Sequence, residues 1–216
     1  MSATRKGAAT KAGRKRPAAA LPNEVRIVGG AWKRSKLRVL DRPGLRPTPD
    51  RVRETLYNWL GQRLDGWRCL DAFAGSGALG FEAATRGAAE VLLLERDGAL
   101  HAELGAARER LKAAQVRVER ADAVAWMSRS DRARFDLVLL DPPFGDAGLF
   151  DRALAAAAAL VAAGGFLYLE GPAACPAEAF AALGLRLHRD GRAGAVYFHL
   201  AQRGAAGDGG ETPPSR

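Results

Sequence analysis

CLDAFAGSGALGFEAATRGA, Cys69 to Ala88, is the stretch on which the reading of this chain turns. The run RCLDAF looks like a strand, and helix-like residues begin near Ala78. Between them Gly75, Gly77 and Gly80 space out as GxGxxG. Glycines at a strand-to-helix turn let the backbone approach a ligand closely. An acid, Glu95, follows about 20 residues after the first glycine, where a carboxylate can hold ribose hydroxyls. Strand, glycine turn, helix and acid together describe a crevice for an adenosine-containing ligand at the carboxyl edge of an open α/β sheet.

The pattern continues outward from this unit. Strand-like runs recur as EVLLLER, VRVERAD, FDLVLLD, GGFLYLE, LRLHRD and AVYFHLAQ. Ala-rich helical stretches separate the first five runs of the series, and the last two are close enough for an antiparallel hairpin. Alternating strands and helices predict a mostly parallel sheet covered by helices on both faces. Upstream, VRIVGGAWKRSKLRVL (25–40) reads as a β-hairpin, two short β-rich runs around Gly29-Gly30 and a basic segment. LRPTPDRVRETLYNWL (45–60) reads as a helix start, with Thr48 as cap, Pro49 in the first turn and Asp50 at the positive helix end. Val52, Leu56, Trp59 and Leu60 form its buried face. The expected organisation is a basic tail over 1–22 without stable structure, a hairpin-and-helix segment over 23–66, a core over 67–203, and a second tail over 204–216.

Composition narrows the function classes. The chain has 216 residues and a net charge of +9. Residues 1–68 hold 17 Lys and Arg against 5 Asp and Glu, a net +12, while the remainder is net −3. That asymmetry predicts a polyanion docked on the N-terminal part. Lys33, Arg34, Lys36 and Arg38, interleaved with Trp32 and Leu37, are the candidate phosphate contacts. No apolar run reaches the roughly 18 residues of a membrane span. Cys69, Cys175 and three scattered histidines match no metal or redox spacing, so no metal and a reducing, cytoplasmic setting are expected. Cys69 lies in an apolar run and reads as a buried small hydrophobe. An acid-free Arg/Ala-rich N-terminus also allows a transit peptide, although no amphipathic face is evident.

Asp71 discriminates between ligands. It ends the strand four residues before Gly75. A pyrophosphate prefers bare amides at a helix N-terminus, and a carboxylate there would repel it. S-adenosylmethionine presents an ammonium and a sulfonium, which a carboxylate can hold. Asp71 therefore favours the methyl donor over NAD, with helix or turn capping as its other possible role. Phe73, Gly75, Ser76 and Gly77 form the loop beside it. Asp122, in RADA, can contact the adenine amine or cap the next helix.

The second motif is Asp141-Pro142-Pro143-Phe144 after the apolar strand FDLVLL. Two prolines cannot continue a central strand, so the chain leaves the sheet there, at the same edge as the glycine turn. The exocyclic amine of a nucleobase is a poor nucleophile, because its lone pair is delocalised into the ring. Acceptors on both N–H groups, the Asp141 carboxylate and the Pro142 carbonyl, draw the nitrogen toward tetrahedral geometry. Holding amine and methyl group in line can remove up to about 7–11 kcal/mol of barrier. Phe144 can stack on a base that has left its own stack, worth about 1–3 kcal/mol.

With these residues in view, the chain resembles the class I, Rossmann-like methyltransferases of nucleobase amines. It is most similar to the bacterial 16S ribosomal RNA guanine-N2 methyltransferases of the RsmD type. RIVGGAWKRSKL, PGLRPTPDRVRETLYNWL, CLDAFAGSGALGFEAATRGA, DPPF and RAGAVYFHLAQR carry the resemblance, which runs from about Arg26 to Arg203. It implies a seven-stranded sheet in the order 3-2-1-4-5-7-6 with the last strand antiparallel. It also implies S-adenosyl-L-methionine as donor, and a guanine of ribosomal RNA within the small subunit or an assembly intermediate as substrate. A monomer is the implied state. Asp71, Gly75, Gly77, Glu95 and Asp122 carry over as donor positions and Asp141 to Phe144 as the catalytic motif. Arg46 and Thr48, in the family's signature, would cover cofactor or substrate, or else serve as a phosphate contact and a helix cap. An adenine-N6 or cytosine-N4 methyltransferase suits the same acceptors. An NAD-dependent oxidoreductase and a non-catalytic nucleic-acid binder are the alternatives of other classes.

Overall fold

A computed structural model describes residues 24–42, 45, 47–130, 134–144 and 148–205. The expected tail over 1–22 and Arg46 lie outside the described residues, as does the C-terminal tail beyond Ala205. Two short strands, β1 (Glu24–Arg26) and β2 (Lys36–Arg38), pair antiparallel as the hairpin, and α1 (Asp50–Trp59) follows. The core then alternates through β3 (Arg68–Asp71), α2 (Ala78–Thr85), β4 (Glu90–Glu95), α3 (Gly98–Leu111), β5 (Val116–Arg120), α4 (Ala123–Arg129), β6 (Phe135–Leu140), α5 (Leu149–Ala158) and β7 (Val161–Gly171). The short α6 (Ala177–Ala181) leads to the closing hairpin of β8 (Leu185–Ala193) and β9 (Val196–Arg203).

The sheet order is β5-β4-β3-β6-β7-β9-β8. Counted from the first core strand this is the expected 3-2-1-4-5-7-6. The strands from β3 to β7 are parallel, and β9 runs antiparallel to both β7 and β8. Period-two alternation sorts the core strands onto two faces. Cys69, Leu93, Leu137, Leu139 and Tyr168 pack under the hairpin, α1, α2 and α3. Leu70, Leu92, Val138, Leu140 and Leu169 pack under α4, α5 and α6. Cys69 is fully buried, as its apolar context predicts.

The N-terminal segment does not float beside this core. Ala31 N–H donates to the Thr85 carbonyl at 2.9 Å and Trp32 N–H to Thr85 Oγ1 at 2.6 Å. Gly30, at φ +67°, is the point of closest approach: a Cβ there would stand 2.0 Å from the Thr85 carbonyl oxygen. Helix α1 lays Val52, Leu56 and Tyr57 on the core, and Trp59 packs on Phe198 of β9 with ring centroids 5.3 Å apart.

Beneath these contacts lies a buried ionic cluster. Glu82 of α2 and Arg53 of α1 are both 0 % exposed. Glu82 Oε2 accepts from Arg53 Nη1 at 3.1 Å and from Val28 N–H at 2.9 Å. Its other oxygen accepts from Arg86 Nη2 at 2.9 Å and Nε at 3.2 Å. Arg53 also donates through Nη2 to the Arg26 carbonyl at 2.8 Å and to Asp50, and through Nε to the Thr48 carbonyl at 3.1 Å. One carboxylate thereby links the hairpin, α1 and α2.

Removing one partner of a buried pair strands the other charge, at a cost of about 3–5 kcal/mol. Glu82→Ala is therefore expected to lower the unfolding free energy by about that amount in urea at pH 7. Glu54→Ala, on the exposed side of the same helix, should change it by less than about 0.5 kcal/mol.

Candidate active site

β3 delivers the chain to the glycine turn at the carboxyl edge of the sheet. Gly75 (φ +52°) and Gly77 (φ +78°) both adopt left-handed backbone, which is why glycine is needed there. Gly77 is the last residue before α2. Glu95, at the end of the neighbouring β4, accepts from Gly75 N–H at 3.0 Å and from Asp97 N–H at 2.8 Å. The acid thus sits on the glycine loop itself and is half-buried. Phe73 is half-buried and Ser76 buried in the same turn.

The chain leaving β2 climbs the outside of α3 to this loop. Arg110 Nη2 donates to the Lys36 carbonyl at 2.7 Å, Arg38 faces Glu103 at 3.8 Å, and Arg42 Nε meets Asp97 at 3.2 Å. The climb ends with Leu45 over the turn: a Cβ on Gly75 would lie 2.8 Å from Leu45 Cδ1.

Three acids converge on one face of the sheet edge. Asp71 pairs in register with Leu139, and Leu140 with Leu169. Continuing that register by one residue sets Asp141 beside Glu170. Asp71 is 1 % exposed, and its Oδ2 accepts from Gly80 N–H at 2.9 Å in the first turn of α2. The turn-capping role open to it is therefore realised here. Burial pushes its carboxyl up to about 7; the Gly80 N–H opposes this, and the charges of Glu95 and Glu170 add to it. Asp141 is half-buried as a residue, with its carboxyl on the enclosed side. Burial holds that carboxyl well above the ordinary range, reinforced by Glu170 and Asp71 and countered by the Thr48 hydroxyl. Glu170 is raised by its own burial, against hydrogen bonds from Thr48 and Tyr168 and the charge of Arg53.

Thr48 departs from its expected role as helix cap. Pro49 occupies the cap position of α1 and makes no side-chain cap bond. The Thr48 hydroxyl instead donates to Glu170 Oε1 at 2.8 Å, which also accepts from Tyr168 OH at 2.9 Å. The reason is positional: Thr48 stands one residue before the cap, where Glu170 rather than the first-turn amides is its partner, while its carbonyl accepts from Arg53 Nε at 3.1 Å. Glu170 escaped the sequence reading, although its signal was present. It ends an apolar strand, as Asp71, Glu95 and Asp141 do.

The remaining candidates divide. Pro142 is buried and Pro143 exposed, while Phe144 is 49 % exposed, the one exposed large hydrophobic among the described residues. Asp122 is exposed and caps α4, accepting from Ala125 N–H at 2.9 Å. Lys33, Arg34, Lys36 and Arg38 all face solvent; Lys36 pairs with Glu24 at 2.6 Å. Arg34, Lys36 and Arg38 line an open groove of about 1130 Å³ together with Arg110, which the sequence reading did not single out.

A crevice of buried carboxylates over a glycine turn suits a cationic, adenosine-bearing ligand. Three acids share it, and among the described residues Arg53 offsets Glu170 there. An ammonium and a sulfonium would relieve that imbalance, whereas a pyrophosphate would worsen it. Sheet order, antiparallel closing strand and this site define a class I methyltransferase fold. The family described as Conserved hypothetical protein 95 matches residues 25–202, and the chain belongs to it. It is 39% identical over 201 residues to the ribosomal RNA small subunit methyltransferase D of Escherichia coli K12, covering 90% of this chain and 98% of that protein. The Haemophilus influenzae protein of the same name is 45% identical over 124 residues, covering 56% of this chain and 64% of that one. The solved structure of Escherichia coli yhhF superposes with a TM-score of 0.72 at 36% identity, over 84% of this chain and 99% of that one.

Asp71 carries a consequence for stability. Its carboxyl titrates near 3.8 when solvated and near 7 when folded. Between those values the folded state binds more protons than the unfolded state, so its contribution falls as pH rises and the loss is complete above about 7. Asn in its place can still accept from Gly80 and does not ionise. Asp71→Asn is therefore expected to gain stability relative to wild type as pH rises from 5 to 8 in urea unfolding of the ligand-free protein. Parallel pH dependences would contradict this assignment.

Proposed function

We propose that this protein transfers the methyl group of S-adenosylmethionine to the exocyclic N2 amine of a guanine in small-subunit ribosomal RNA. The observation that carries the reading is the position of Asp141-Pro142-Pro143-Phe144. The motif leaves β6 between the glycine turn of β3 and Glu170 of β7, with its aromatic ring open to solvent. Membership of a family whose curated relatives are named as small-subunit ribosomal RNA methyltransferases supports the substrate class. The acceptor motif suits guanine, adenine and cytosine amines alike, so the choice of base rests on the family.

When bound, S-adenosylmethionine supplies a methyl group made electrophilic by its sulfonium. Glu95 would hold the ribose hydroxyls, with Gly75 and Gly77 allowing close approach, and Asp71 would supply negative potential beneath the cationic end. Thr48 and the segment ending in Leu45 would close over the ligand. On the acceptor side, the Asp141 carboxylate and the Pro142 carbonyl accept the two N–H bonds of the amine, and Phe144 stacks on the base. Pro142 is buried and its ring fixes the backbone, so its carbonyl is a rigid acceptor. The hairpin cations Lys33, Arg34, Lys36 and Arg38, joined by Arg110, would bind phosphates of an assembled or partly assembled small subunit. A cytoplasmic monomer completes the reading.

Asp141→Ala is expected to abolish methyl transfer to small-subunit particles while calorimetric binding of S-adenosylmethionine stays near wild type. An interaction made in the transition state lowers kcat and kcat/KM together. Asp141→Asn should keep a trace of activity, because its amide oxygen still accepts one hydrogen bond. Full activity in Asp141→Ala would move the active site elsewhere.

RNA affinity is expected to fall steeply with salt, since each neutralised phosphate contributes a slope of about −0.7 to −0.9. Changing Lys33, Arg34, Lys36 and Arg38 together to Ala should flatten that slope and spare turnover at saturating substrate. An unchanged slope would make those charges a solvated face.

A further inference from the structure

Glu170 has no part in the reading above, yet it is built into the site as firmly as Asp141. It is 3 % exposed, follows the apolar run of β7, and accepts hydroxyl donors from both sides, Thr48 at 2.8 Å and Tyr168 at 2.9 Å. Strand register sets it beside Asp141 on the same sheet face. A lone structural carboxylate would be an expensive way to hold two hydroxyls, since an amide holds them without burying a charge. The charge itself needs a use.

We propose that Glu170 is a positioning residue for methyl transfer: by its charge and its hold on Thr48, it makes Asp141 the acceptor of the proton that the methylated amine sheds. The inference rests on Asp141 being the acceptor-side residue. In the step, the amine lone pair forms the new N–C bond, and the C–S bond breaks with its electron pair staying on sulfur. The nitrogen, now cationic, loses one N–H proton to the Asp141 carboxylate, which becomes a carboxylic acid. Atoms and charge balance, with no further reactant.

Charge orders the events. Entry of a cationic donor lowers the proton affinity of the acids around it, so Asp141 is ionised when the amine arrives. The transfer moves that positive charge from sulfur onto the amine nitrogen, which it leaves with the proton that Asp141 takes. Neutralising Asp141 removes one negative charge from beside Glu170 and Asp71, a relief that favours this acceptor. The groups that set this balance are Asp71 from β3, Glu170 and Tyr168 from β7, and the Thr48 hydroxyl just before α1. Arg53 from α1 acts on Glu170, and Glu95 from β4 acts on Asp71.

The test is carbon-detected NMR titration of the Asp carboxyls in the whole ligand-free protein, with the Asp141 signal assigned by its loss in Asp141→Asn. In Glu170→Gln the Asp141 midpoint should fall by about 1 pH unit, and the acid limb of kcat should move down with it. Thr48→Val loosens the same packing but keeps the Glu170 charge, so midpoint and acid limb should move much less. A fall in Glu170→Gln that Thr48→Val does not share is not what loosened packing produces. If Glu170→Gln is too unstable to titrate, Glu170→Asp, which draws the charge back by one methylene, is titrated in its place and should lower the Asp141 midpoint by a smaller amount. An Asp141 midpoint that stays in place in the Glu170 variant overturns the proposal, as does an equal fall in Thr48→Val. The underlying reading fails separately, if Asp141→Ala retains methyl transfer.

Discussion

A single buried carboxylate, Glu82, holds the catalytic edge together from a distance. It reaches the crevice only through Arg53, among the described residues. Its two oxygens gather Arg53, Arg86 and the Val28 amide into one cluster, and Arg53 passes the constraint on. By taking the Thr48 carbonyl, Arg53 ties down the chain where it enters α1, at the residue whose hydroxyl meets Glu170. The hairpin that carries the basic residues is anchored by the same acid. Orientation of the N-terminal segment and composition of the crevice are therefore one problem, solved at one buried ion cluster. Such clusters are poor sources of net stability, because desolvation consumes most of the Coulombic gain. Here the return is geometric: three elements are placed to within hydrogen-bond tolerance.

The crevice shows the opposite economy. Asp71, Asp141 and Glu170 are crowded with little compensating charge among the described residues, and all three are pushed toward the protonated form. Like charges brought together out of water oppose folding at neutral pH. A ligand that brings positive charge stabilises the folded state in proportion to its affinity. Site and donor are complementary in this thermodynamic sense as well as in shape. An anionic dinucleotide could not supply that relief, and this separates the two ligands more sharply than the glycine spacing does.

Much of this was legible in the sequence, and the divisions have physical causes. Period-two strands and Ala-rich helices are local signals, so the alternation of β and α could be read from composition and spacing alone. The strand order came through resemblance, because pairing across the sheet leaves no local trace. The glycine turn and the double proline were legible because they impose backbone conformations that few residues tolerate. Thr48 was misread for the converse reason. A threonine before Pro-Asp is an ordinary cap by local rules, and only a residue far away in sequence, Glu170, gives its hydroxyl a better partner. Glu170 was missed since one acid at a strand end carries no motif. The rule that it shares with Asp71, Glu95 and Asp141, an acid ending an apolar strand, becomes visible when the four are set side by side. Arg110 was hidden because it is one of two arginines in the last turn of its helix, and only the fold sets one of them against β2.

An acidic crevice that must accept part of a polyanion has an electrostatic difficulty, and the layout resolves it by depth. The acids are enclosed, so little of their charge reaches solvent. The cations of the hairpin and of Arg110 are exposed and act over about a Debye length, roughly 8–10 Å at ordinary ionic strength. An approaching RNA meets the positive surface first. Its phosphates stay outside on that surface, while one uncharged base turns inward past Phe144. No phosphate needs to enter the crevice, and the separation of a basic N-terminal third from a net acidic remainder is what the two parts of the task require.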